Sequence, residues 1–173
     1  MSKVKIIRAG LALLLIFSLL PGCSNLRYGA KLYNHVNDWI DESFLKENRV
    51  KASYPNDNYV HGESDPRDKY IYDESSPSSR VFIITDEDEY NGIFTNSPLD
   101  VDFETEMVIL HIFSNTSPRD YKLKRIELKD KTLTVEMRLE WKWKDVKDDV
   151  ETYQRCNAIK MNKAEINEVK FEK

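Results

Sequence analysis

Between Leu133 and Trp143 apolar and polar residues alternate without a break. Leu133, Val135, Met137, Leu139, Trp141 and Trp143 hold one parity, and Thr134, Glu136, Arg138, Glu140 and Lys142 hold the other. A β-strand sends successive side chains to opposite faces, so a period of two describes a strand with one face in a core and the other in water. The pattern requires a sheet that is covered on one side, which antiparallel hairpins and meanders supply. Tyr121 to Leu128 is a second strand-like segment, and Lys129-Asp130-Lys131 between the two reads as a tight hairpin turn.

More strands flank this pair. Arg80-Val81-Phe82-Ile83-Ile84 is short and apolar. Glu104 to Phe113, with the run from Met107 to Phe113, is longer and more hydrophobic. Tyr153 to Met161 and Glu168 to Phe171 supply two others, with Lys163-Ala164-Glu165 as the turn between them. Thr85-Asp86-Glu87-Asp88 reads as a helix start, since a capping oxygen and an acidic first turn both favour the N-terminal end.

Ahead of the strands, Leu32, Tyr33, Val36, Trp39, Ile40, Phe44 and Leu45 fall at helical spacings within residues 29–46. The fold expected is α+β: an N-terminal amphipathic helix packed on an antiparallel β-sheet or a small, partly open β-barrel. Residues 47–79 change character. Pro55-Asn56-Asp57-Asn58, Gly62-Glu63-Ser64-Asp65-Pro66 and Ser75-Ser76-Pro77-Ser78-Ser79 are turn formers, with one short strand, Lys69 to Tyr72, among them. This stretch reads as an exposed irregular region carrying Tyr54, Tyr59, Tyr70 and Tyr72 among acids and prolines. Tyrosine with adaptable polar neighbours suits protein contacts, because it adds contact area at low entropic cost. The four tyrosines are therefore candidate partner contacts. The alternative is that they pin the loop to the sheet.

Residues 1–22 stand apart. Lys3, Lys5 and Arg8 form a basic segment, followed by the apolar run Leu11 to Leu20. That matches the n- and h-regions of a signal peptide and is too short for a permanent membrane span. The run ends in Leu20-Pro21-Gly22-Cys23, which resembles the lipobox of bacterial lipoproteins. The resemblance implies cleavage between Gly22 and Cys23, a diacylglyceryl thioether on Cys23, and acylation of the new amine by palmitate or a similar chain. Two long chains hold a protein stably at a bilayer where one does not. The expected organisation is a signal peptide at 1–22, a lipidated tether at 23–28 and a single domain at 29–173. Within that domain, 29–79 holds the helix and irregular region and 80–173 is β-rich. The expected location is the cell or outer membrane, facing outside the cytoplasm.

Cleavage removes three of the 26 basic residues and none of the 30 acidic ones, leaving 23 against 30 and a mature net charge of −7. An acidic body excludes nucleic-acid binding and gains nothing from anionic lipid, so the lipid on Cys23 does the anchoring. With Cys23 lipidated, Cys156 has no intrachain partner. It reads as a buried small residue in a strand, against the alternative of a reactive thiol.

The chemistry-bearing residues do not assemble into a catalytic pattern. His35, His61 and His111 are scattered, and none has a second histidine or a cysteine at ligand spacing. His111, inside an apolar strand, reads as a core residue. Asp86-Glu87-Asp88-Glu89, and Asp57, Asp65 and Asp68, offer carboxylates for Ca²⁺, but no Asp-x-Asp-x-Asp-Gly loop is present. No Gly-x-Ser-x-Gly elbow and no glycine-rich phosphate loop occur. Trp141 and Trp143, on one face, read as core packing or as a stacking platform for a ligand. No cofactor and no metal is expected.

From Arg80 onward the order of features resembles the C-terminal domain of PrcB-like proteins, lipoprotein subunits associated with a protease complex. The resemblance rests on the strand leading into an acidic short helix, on Val101-Asp102-Phe103-Glu104-Thr105-Glu106-Met107-Val108-Ile109, and on the closing Cys156-Asn157-Ala158-Ile159-Lys160-Met161-Asn162-Lys163 and Val169-Lys170-Phe171. Ser117-Pro118-Arg119-Asp120-Tyr121 stands where the family carries a loop with two glycines, and keeps its proline and tyrosine. The resemblance implies a small β-rich accessory domain that works through a protein partner and contributes no catalytic residues. The function expected is that of a non-enzymatic, membrane-anchored accessory or protein-binding subunit of an envelope protease complex. A small-ligand or Ca²⁺-binding envelope lipoprotein is the alternative.

Overall fold

The computed structural model describes residues 28–140 and 151–172. Gly22, Cys23, Trp141 and Trp143 lie outside the described residues. Among the described residues nine strands form three sheets. The first sheet contains β1 (Lys31–Tyr33), β4 (Ser79–Ile84), β5 (Glu106–Asn115) and β8 (Tyr153–Asn162), in the order β1-β8-β5-β4, with every pairing antiparallel. The second contains β6 (Tyr121–Lys129), β7 (Thr132–Leu139) and β9 (Glu168–Glu172), in the order β6-β7-β9. The third is a small antiparallel pair, β2 (Ser53–Pro55) with β3 (Tyr70–Tyr72). Among the described residues the sheets do not close into a barrel.

The alternation read between Leu133 and Trp143 becomes β7, whose Leu133, Val135 and Met137 are buried while Thr134 and Glu136 are only half-buried. The hairpin before it has a two-residue turn, with Lys129 opposite Thr132 and with Asp130 and Lys131 both at positive φ, 50° and 62°. Two central residues at positive φ match the right-handed twist of the flanking strands, as in a type I′ turn. β9 joins β7 in parallel, Thr132 beside Glu168 and Val135 beside Phe171. This departs from the fully antiparallel sheet expected. The cause is the path of the chain. β8 belongs to the other sheet, so the short Lys163–Asn167 link carries the chain from one sheet to the other, and β9 enters the second sheet in the direction of β7.

The two larger sheets pack over a shared core. β5 and β8 are the central strands of the first sheet and bury side chains on both faces, as strands covered on both sides do. Met107, Ile109, Phe113, Ile159 and Met161 face Ile126, Leu133, Val135 and Met137 of the second sheet. Val108, Leu110, Ile112, Cys156 and Ala158 face the other way, against Val36, Ile40, Val50, Ile93 and Phe94. Cys156 is fully buried, and that burial pushes its thiol up to about 12. His111 is buried too, its ring stacked between Phe171 at 3.8 Å and Phe113 at 4.7 Å. Both residues occupy core positions, as the sequence suggests.

The single helix expected across residues 29–46 does not form. The segment contains β1, a 3-10 turn at Val36–Trp39 and one short α-helix, α1 (Glu42–Glu47). His35 sits at φ 55°, a left-handed conformation that stops a helix. Its neighbours are held by distant backbone: Asn34 exchanges hydrogen bonds with both backbone groups of Tyr121, and Asn37 donates to the Gln154 carbonyl and accepts from the Cys156 N–H. Asp41 then restarts helical structure by accepting from the Phe44 N–H. The apolar stripe does bury itself against the sheet, with Phe44 edge-on to Phe82, but as a strand, a turn and a helix. The helix start expected at Thr85–Asp88 is present as α2 (Glu87–Ile93), with Asp86 accepting from the Glu89 N–H.

Candidate interaction surface

The segment between α1 and β4 was expected to be exposed and irregular throughout. Its first part belongs instead to the core: Val50 and Ala52 are fully buried, and Ser53 nearly so. The backbone leaves α1, enters β2, and is stitched to the start of β8 by the Ser53 N–H donating to the Thr152 carbonyl and by the Ser53 hydroxyl donating to Glu151. β3 returns along β2 with Tyr70 opposite Pro55, Ile71 opposite Tyr54 and Tyr72 opposite Ser53. The two strands form a flap at the Tyr153 end of β8. The chain enters the described structure at the opposite end of the same strand, where Gly29 lies against Asn162 and Lys31 pairs with Lys160.

The four candidate tyrosines do different things. Tyr54 is a post that holds the flap down. Its hydroxyl lies 2.7 Å from Gln154 Oε1 and 2.8 Å from the Val50 carbonyl, and accepts from the Val50 N–H. Burial raises its pKa, and the Arg49 guanidinium lies 4.4 Å from the ring centroid. Tyr70 packs edge-on against Tyr153 at 5.9 Å. Tyr59 is half-buried within the loop. Only Tyr72 offers a largely exposed ring, at 49%. Two side chains that the sequence does not single out are exposed on the same segment, Ile71 next to it in β3 at 56% and Val60 in the connection from β2 to β3 at 49%. Among the described residues, Leu139 is the sole other large apolar side chain so exposed, so three of four lie on this one segment. Their signal in the sequence is faint: an isoleucine between two tyrosines, and a valine next to a histidine in a turn-rich stretch.

An open groove runs along the flap, lined by Arg49, Tyr54, Asp57, Ile71, Tyr72 and Glu74. A second depression, on the other side of Tyr54, is lined by Glu42, Leu45, Lys46, Arg49, Asp57 and Gln154. The rim of the first is acidic. Asp73 accepts from the hydroxyls and N–H groups of Ser75 and Ser76, and these bonds hold its carboxyl down at about 2. The flap therefore joins exposed apolar side chains to fixed negative charge at its edge.

Two of the carboxylates considered for a cation, Asp65 and Asp86, already have partners. Asp65 caps the 3-10 turn Pro66–Lys69 and pairs with Arg67 at 2.6 Å, which lowers its pKa. Asp86 caps α2. Among the described residues no group of three or more His, Cys, Asp or Glu side chains is placed to hold a metal ion. His35 pairs with Asp120 at 3.0 Å, and its backbone N–H donates to Asn157, which lies opposite His111 in the sheet. Among the described residues, no helix is long and apolar enough to cross a membrane. No family model, curated protein or solved structure matches the chain.

Proposed function

We propose that this chain is a lipoprotein, anchored by lipid on Cys23, that acts without catalysis by binding a protein partner through the β2–β3 flap. The observation that carries this reading is the exposure of Ile71 and Tyr72 along the acidic groove, with Val60 exposed in the connection from β2 to β3. Large exposed apolar side chains grouped on a soluble surface mark contact sites more often than isolated ones do. The partner surface expected is apolar at its centre and basic at its margin, to match Asp57, Asp73 and Glu74.

The geometry of presentation agrees with this. β8 is a ten-residue strand, with the incoming chain at one end and the flap at the other. At about 3.3 Å per residue the two ends are roughly 30 Å apart. A protein tethered through residues just ahead of Tyr28 can hold its flap well clear of the lipid headgroups. By its resemblance to PrcB-like subunits, the partner belongs to an envelope protease complex.

Two measurements test the proposal. Cys23→Ala abolishes palmitate labelling and leaves the precursor uncleaved; labelling that survives the change sinks the anchoring. A photo-crosslinking residue at position 71 of the membrane-anchored chain gives a discrete protein adduct, while one at position 127, on the far sheet, gives none. Equal adducts from both positions remove the flap as the contact surface.

A further inference from the structure

Strand edges are where sheets recruit other strands, and proteins usually guard them with charge or short length. Three of the four edges of the two large sheets are guarded in these ways. β6 carries Lys122, Lys124, Arg125, Glu127 and Lys129, β9 carries Glu168, Lys170 and Glu172, and β1 has three residues. The fourth edge, β4, is six residues long and reads Ser-Arg-Val-Phe-Ile-Ile. One face of it pairs with β5, and among the described residues no strand pairs with the other. Val81, Phe82 and Ile83 stay partly exposed along it. It is a long apolar edge with a single charge, Arg80.

We infer that the β4 edge pairs antiparallel with β4 of a second copy of this chain, about a two-fold axis through Ile83. The strand is self-complementary in that register. Phe82 falls opposite Ile84 of the other copy, Val81 opposite Thr85, and Ile83 opposite Ile83. Arg80 falls opposite Asp86, whose backbone is still extended at φ −141° and ψ 162°, so the row of paired residues runs on to it. Arg80, Phe82, Ile84 and Asp86 share a face, so the two-fold axis builds one continuous row with an ion pair at each end.

The charges beyond the strand are mixed at its start and acidic at its finish. At its start, Arg80 Nε donates to the Arg49 carbonyl and the Lys51 N–H donates to the Pro77 carbonyl, which brings two further basic residues to that end, alongside Asp73 and Glu74. At its finish, α2 opens with Glu87, Asp88 and Glu89. An antiparallel copy lays each of these ends beside the other. The result is a single eight-stranded sheet with β4 and its mate at the centre.

The test uses the full chain in membranes. Ile83→Cys places a thiol on the proposed axis, where opposite Cβ atoms in an antiparallel pair lie about 4.5–5.5 Å apart. A short bis-maleimide then links two copies. The parent chain, whose Cys156 is buried, is the control. The expected result is a covalent dimer from Ile83→Cys, its loss when Arg80→Glu is added, and its return when Asp86→Arg is added to that pair. Light scattering on the detergent-solubilised parent chain gives twice the monomer mass. A monomer at all micromolar concentrations overturns the proposal, as does a crosslink that neither charge change moves. Failure of the charge swap to restore the dimer overturns the register.

Discussion

Val135 is the position at which the packing argument meets its sharpest test. It lies in the middle of the second sheet, between Ile126 on β6 and Phe171 on β9, with no exposed surface. Replacing it by aspartate forfeits the burial of a valine side chain, about 1.5–3 kcal/mol. It also places a carboxyl among Ile109, Ile159 and Met161, which have no donor to offer, at a further cost of about 1–3 kcal/mol. The sum, roughly 4 kcal/mol, is a large share of the ~5–15 kcal/mol that holds a domain together. With a urea slope of about 2 kcal/mol per molar, the midpoint falls by about 2 M. The gentler Val135→Ala costs about 2 kcal/mol, two buried carbons at ~0.8 each plus the void they leave. The comparison residue is its neighbour Glu136, which points to the other face and pairs with Lys124 and Arg125. Glu136→Ala moves the midpoint far less, because exposed ion pairs contribute little. Burial raises the pKa of the new aspartate, so its penalty builds as pH rises above the unfolded value, about 3.9, and the deficit narrows in acid. Urea melts in which Glu136→Ala costs as much as Val135→Ala refute the assignment of faces.

Three further outcomes follow from the same structure. Cys156 stays unmodified by a thiol reagent at pH 8 in the native protein and reacts on unfolding in guanidinium; fast native labelling shows that its strand opens. Asp73, held at about 2 against an ordinary 3.8, contributes stability that is present above the ordinary value and is lost as pH falls through the lower one. Melts of parent and Asp73→Asn therefore differ at pH 5 and converge below pH 2, and a constant difference shows that the serine bonds do not hold the carboxylate. Val50→Ala lowers stability by about 2 kcal/mol because the side chain is fully buried, whereas replacing the exposed loop 57–64 by a short glycine link leaves the thermal midpoint nearly unchanged. The opposite ranking returns the whole segment to the irregular class.

The elements legible in the sequence were those whose causes are local. The alternation in β7 needs only neighbouring residues to be read, and so do the Asp130-Lys131 turn and the Asp86 cap. Residues 29–46 misled because apolar spacing of three and four also fits a strand, a turn and a short helix laid end to end. The deciding contacts there are long-range, such as the Asn37 side chain on the backbone of β8, and no local window contains them. β2 was missed for the same reason: Ser53–Pro55 looks like a turn, and its burial comes from Gln154 and Thr152, about a hundred residues away. On the surface, the four tyrosines divide: Tyr54 and Tyr70 are consumed in packing, while Tyr72 and its aliphatic neighbour Ile71 carry the exposure.

The strand order β1-β8-β5-β4 also dictates when this chain can fold. β1 comes at the start, and its partner is nearly the last strand made; the contact between His35 and Asn157 spans 122 residues of sequence. The central strand of the first sheet is thus the one that arrives late. Contacts of such separation form slowly, since the closure of the intervening chain precedes any gain from them. A chain made from its N-terminus therefore has no template for its first strand until β8 is available, and the first sheet closes only when β8 takes its place between β1 and β5.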